Sequence, residues 1–156
     1  MTDIDVASVV RAVDRTGLDY IPSEDSVWVN MPSKTYQDSQ GQNQLLIALA
    51  PRNGGLLSLW LVPDMAPPEF HLGASPDPGL LNAVLDFQWK YQTARFQLGD
   101  DRRLQANIDM LVGEDGIDPA ALTTSLEVLV SGIDGLIGHL RTRSAAGRDG
   151  DCPAHE

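Results

Sequence analysis

Three histidines and one cysteine are the residues from which nucleophilic or metal chemistry would first be built in this 156-residue chain. Cys152 and His155 have the types of a thiol–imidazole pair, which works only when a third group orients the base. Both fall in SAAGRDGDCPAHE, residues 144–156, a stretch without apolar periodicity. An untethered tail does not hold a near-attack geometry, so no catalysis is expected there. His71 lies in a proline-rich stretch and His139 in a helical pattern, with no HxxxH or HxH spacing to suggest zinc. Glu114-Asp115-Gly116-Ile117-Asp118 resembles a calcium loop only superficially, because oxygen ligands at alternate positions and a distal glutamate are missing. Asp118 reads better as a helix cap, and Asp100-Asp101 as a hairpin turn. No GxxxxGK[ST], GxGxxG or GxSxG pattern occurs. The sequence thus points away from an enzyme, with no catalytic residue, cofactor or metal expected.

The tryptophans are the other residues with functional reach. Trp28 and Trp60 fall in strand patterns and Trp89 at the end of a helix. Each can be core packing, or can line a groove for a partner, since tryptophan anchors interfaces. Trp60, Leu46 and Trp28 are the expected partner-binding residues. Trp60 leads because its strand is apolar on both faces.

Those residues need a scaffold. Acidic residues outnumber basic ones by 22 to 11, a net charge of −11 that repels phosphate backbones and argues against nucleic acid as a partner. With 42% hydrophobic residues the chain can bury a core of one domain, expected over residues 1–143 and followed by a disordered tail, 144–156. No run of 18 apolar residues occurs, and the start, MTDIDVASVV, is acidic where a signal peptide would be basic. A cytoplasmic protein without membrane insertion is expected.

A first helix is expected from Thr2 or Asp3, either of which can cap it, to Thr16, with Gly17 as its stop. Strands follow at Ser26–Met31, Gln44–Ala50 and Leu56–Val62, and Asn53-Gly54 marks a hairpin between the last two. Leu45, Ile47 and Leu49 share one face of the second strand, Leu46, Ala48 and Ala50 the other. Helices can cover only one face, so a second subunit or a loop must cover the other. The proline-rich stretch 63–76 is expected to be irregular. Asp77-Pro78 opens a helix whose buried stripe is Leu80, Leu81, Val84 and Leu85. Thr93–Leu98 and Arg103–Leu111 alternate as a hairpin with one polar face. Asp118-Pro119 starts the longest helix, striped by Leu122, Leu126, Leu129, Val130, Ile133, Ile137 and Leu140. Gly132, Gly135 and Gly138 are costly inside it and imply either close backbone approach or local fraying.

The segment LLNAVLDFQWKYQTARFQLGDDRRLQANIDMLVGEDGIDPAALTTSLEVLVSGIDGLIGHL, residues 80–140, resembles the class I type III secretion chaperone superfamily, especially its YbjN-like and Tir-chaperone-like branches. It looks like that family's second helix, its strand pair joined by an acidic turn, and its closing helix. The resemblance implies an α+β fold with an antiparallel sheet, order α-β-β-β-α-β-β-α, and commonly a homodimer. In the secretion branch, exposed apolar surface holds an extended segment of a client protein. The proline-rich linker, the glycines of the last helix and the tail depart from that branch. The function expected is therefore a non-enzymatic protein-binding module, chaperone- or adaptor-like; the alternative is a structural or regulatory subunit of a larger complex.

Overall fold

The computed structural model describes residues 3–73, 77–91 and 94–150. It has an α+β fold: three helices on one face of a six-stranded antiparallel sheet. The elements are α1 (Val6–Thr16), β1 (Tyr20–Pro22), β2 (Val27–Pro32), β3 (Gln44–Arg52), β4 (Leu56–Leu61), α2 (Pro78–Tyr91), β5 (Arg95–Leu98), β6 (Leu104–Leu111) and α3 (Pro119–Gly150). In space the strands run β1-β2-β3-β4-β6-β5, so the last hairpin folds back and β6 slots beside β4.

The caps follow from side-chain chemistry. Asp5, rather than Thr2 or Asp3, caps α1: its carboxylate accepts the Ser8 amide at 2.8 Å, which shortens the helix from the start expected. Gly17 ends it in the left-handed region, where a Cβ would be strained. Asp118 accepts the Ala120 and Ala121 amides at the head of α3. The β3–β4 hairpin turns through Asn53-Gly54-Gly55 with Arg52 opposite Leu56, and both glycines have positive φ. β1 is a short edge strand that the sequence pattern did not announce.

One face of the sheet makes the core. Val27, Val29, Met31, Leu45, Ile47, Leu49, Leu57, Leu59, Leu61, Phe96, Leu104 and Ala106 point at the helices and meet Val9, Val13, Leu126, Leu129, Ile133 and Ile137. α1 lies against β2 and β3, α3 against β2 and β6, and α2 against α3 and β5. α3 is apolar enough from Pro119 to Arg143 to cross a bilayer, but half of its most apolar window is buried in the fold, as in a core helix. The linker after β4 holds two short 3-10 turns, Pro63–Met65 and Pro68–Phe70. It carries Phe70, fully buried, edge-on to Phe96 in the same core. Phe70 thus anchors the linker on the helical side, while Pro63 at its start lies beside Trp60 and Ser58 on the other.

α3 continues as helical backbone to Gly150, seven residues beyond the domain end expected at 143. The rest of the expected tail, with Cys152 and His155, lies outside the described residues. Gly135 and Gly138 of α3 differ. A Cβ at Gly135 would sit 3.0 Å from Phe87 Cζ of α2, whereas one at Gly138 would meet nothing within 4 Å.

Candidate protein-binding surface

The register places the expected partner-binding residues together. Ile21, Trp28, Ala48, Trp60, Asn107 and Arg95 form one row across the whole sheet, on the face away from the helices. Leu46, two residues from Ala48 on β3, lies opposite Asn30 on the same face. Trp28 is 36% exposed, and Ala48 between the two indoles only 1%. Large side chains on both sides shield the small one, and the result is an apolar plateau. Trp28 Nε1 donates to Ser26 Oγ at 3.2 Å, and the Arg52 guanidinium stands 5.1 Å from the centroid of the Trp60 ring.

Toward β6 and β5 the same face becomes polar. Ser58 Oγ donates to Asp109 at 2.7 Å, and Arg95 pairs with Asp109 at 4.0 Å. Asn107 Oδ1, between Trp60 and Arg95, is buried without a hydrogen-bond partner. A hollow of about 260 Å³ lies there, lined by Arg52, Ser58, Trp60, Gln97, Gln105 and Asn107.

Beside it, a groove of about 710 Å³ runs between α2 and the outer strands, bounded by Leu85, Trp89, Ala94, Ile108 and Asp109. It corrects one expectation and decides one left open. Leu85 was expected in the buried stripe of α2 and is 61% exposed; Trp89 is 79% exposed. The helix instead buries Ala83, Val84 and Phe87, because Phe87 stacks among Tyr91, Phe96 and His139 and sets the rotation. Leu85 and Trp89 stand one turn apart on the opposite side. The sequence signal for this second apolar stripe was their i, i+4 spacing.

The titrating groups have structural explanations. Asp5 is held below the usual carboxylate range by the Ser8 hydroxyl and amide, Asp38 by the Gln42 amide and Gln44 side chain, and Asp77 by the Gly79 amide and Arg143. Burial raises Tyr36, with Asp38 and Glu69 adding to the effect; a hydrogen bond with Asp14 raises Tyr20. These groups cap helices and loops, and none lines the groove. His139 packs on Phe87, while His71 bridges to Arg103 beside the β5–β6 turn. No group of three or more His, Cys, Asp or Glu side chains is placed to hold a metal among the described residues.

The class these features define is an α+β domain with an uncovered, partly apolar sheet face. No protein-family model matches the chain, and no curated protein sequence matches it. Among solved structures it is similar to YbjN from E. coli, described as a candidate transcription regulator, with a TM-score of 0.56 and 12% identity over 88% of this chain and 94% of that one. An uncharacterised protein from Methanothermobacter thermautotrophicus is also similar, with a TM-score of 0.48 and 14% identity over 90% of this chain and 99% of that one. The fold is YbjN-like.

Proposed function

We propose that this chain is a non-enzymatic, cytoplasmic protein-binding module, chaperone- or adaptor-like, that holds an extended segment of a partner protein. One observation carries the reading: the sheet face opposite the three helices presents Trp28, Ala48 and Trp60 in register, with Trp28 36% exposed. Exposed apolar faces rimmed by polar groups mark interaction sites. The net charge of −11 favours a basic partner and opposes direct DNA contact.

The test is isolation of bound protein from the native cytosol by the wild type and by two variants. Trp60→Ala should lose the partner by thirty- to a thousandfold in affinity, corresponding to about 2–4 kcal/mol for an interface anchor. A melting curve must accompany it, because Trp60 also packs against its neighbours. The triple variant His71→Ala, His139→Ala, Cys152→Ala should retain the partner. The reverse pattern would overturn the reading and send the search to a polar site. A second reading, a regulatory subunit held permanently in a complex, draws on the likeness to YbjN; a partner retained in fixed ratio through purification would favour it.

A further inference from the structure

The strongest unused feature of the fold is one open stretch of sheet edge. β6 pairs with β4 as far as Leu56↔Leu111, but with β5 only as far as Arg95↔Asn107. From Ile108 onward its outer side has no partner strand among the described residues. Two bonds fix the direction of its backbone groups. The Val112 amide donates to Gly55 on the β4 side, and the Arg103 carbonyl accepts from Gly99 on the β5 side. Backbone groups alternate sides along a strand, so the N–H and C=O of Asp109 and Leu111 face outward.

The other edges are blunted. β1 ends at Pro22, which has no amide to offer. On β5, the outward amide of Phe96 is already taken by Gln88 Oε1 of α2 at 2.6 Å. Natural sheets protect their edges in these ways, and among the described residues the β6 stretch has neither protection. It is also flanked by exposed apolar side chains, Leu85 and Trp89 on α2 and Leu111, 83% exposed, on β6 itself.

We propose that the outer edge of β6 at Asp109–Leu111 takes an extended segment of a partner protein as an added strand, with large apolar residues alternating with lysine or arginine. The proposal rests on the protein-binding reading and gives it a place and a partner chemistry. Side chains of an added strand alternate between the two sheet faces. Those on the helical side meet Leu85, Trp89 and Ile108 and must be apolar. Those on the other side meet Asp109, with Asp86 in the same groove, and the exposed Leu111 two residues on, against which the apolar stem of a long basic side chain can lie, on a molecule of net charge −11; Arg95 is the groove's cation and already faces Asp109. Basic residues fit that side.

The probe is a synthetic peptide of alternating valine and lysine, with a valine–glutamate peptide and an alternately N-methylated valine–lysine peptide as controls. Binding is read by calorimetry on the whole chain, with the change in its tryptophan fluorescence compared between the wild type and Trp89→Phe to isolate the Trp89 signal. The valine–lysine peptide should bind, and both controls should bind at least about tenfold more weakly, since one loses the charge match and the other the strand bonds. Leu111→Pro removes an outward amide without touching a bond to β4 and should cause the same loss; Leu111→Ala, which keeps the amide and removes only the side chain, should cause a smaller loss than the proline. The N-methylated probe makes the same test on the unaltered protein if the proline variant fails to fold. Equal binding of all three peptides would overturn the proposal. So would a peptide-inert protein whose self-association is broken by Leu111→Pro, which would assign the edge to a second copy. If Trp60→Ala abolishes capture of the native partner and the edge variants do not affect it, the edge proposal fails while the protein-binding reading stands; if neither matters, that reading fails too.

Discussion

Asp134 is the side chain on which most tertiary hydrogen bonding converges. It is buried in the middle of α3, yet it accepts Ser33 Oγ at 2.6 Å, the Lys34 amide at 2.9 Å and Thr35 Oγ1 at 2.6 Å. The β2–β3 loop is thereby tied to a helix a hundred residues away in the chain. Arg141, two turns on, adds a bond to the Thr35 carbonyl and pairs with Glu69 of the linker at 2.6 Å. Asp134→Ala would leave the buried Ser33 hydroxyl and the part-buried Lys34 amide and Thr35 hydroxyl without this acceptor, a cost of about 3 kcal/mol for hydrogen bonds to a charged group. At this chain length that is a fall of roughly 6–12 °C in Tm, measurable by calorimetry. A change below about 2 °C would show that the loop finds water in place of the carboxylate. Nothing in the sequence singled out Asp134, because it sits as one acid in an apolar stripe and its partners are distant. Asp118 and Asp77 were legible as caps because capping is local.

At the scale of elements, the glycines of α3 separate two causes that the sequence left open. Gly138 has open space where a Cβ would stand, so alanine there should gain the helix propensity difference, about 1 kcal/mol. Gly135 lets α2 approach: a Cβ would meet Phe87 at 3.0 Å, and that ring is hemmed in by Tyr91, Phe96 and His139. Gly138→Ala should raise Tm by roughly 2–4 °C, and Gly135→Ala should leave it unchanged or lower it. Equal gains at both sites would show that Phe87 moves aside freely. This packing also explains what was readable in the sequence. Two short apolar runs, Gln44–Ala50 and Leu56–Val62, around Asn53-Gly54 predicted two strands and their turn, because short apolar runs and an Asn-Gly are local signals. The hairpin made the strands of Leu46 and Trp60 neighbours, but nothing local paired the strand of Trp28 with them, and only the register sets Trp28 and Trp60 on either side of Ala48. The α2 stripe was misassigned for the same reason. Leu81, Leu85 and Trp89 and Val84, Phe87 and Tyr91 are rival apolar stripes, and only contact with α3 and β5 decides between them.

The whole molecule pairs an uncovered apolar face with an unusually acidic net charge, and the two pull in opposite directions on self-association. Burial of Trp28, Leu46 and Trp60 against the same face of a second copy would form an isologous interface. Two bodies of charge −11 repel each other, and that repulsion is screened within about 8 Å at physiological salt but reaches about 30 Å at 0.01 M. Light scattering on the isolated protein should therefore give about twice 16.9 kDa at physiological ionic strength, falling toward 16.9 kDa at low salt. Trp60→Glu, which adds a charge to the face, should be monomeric at both. Leu111→Pro should remain dimeric, because the β6 edge lies outside the Trp28–Trp60 row and stays free in each copy. A monomer at every salt concentration would mean that the face is not self-complementary and is kept for a different partner. A dimer insensitive to Trp60→Glu would move the self-association to another surface altogether.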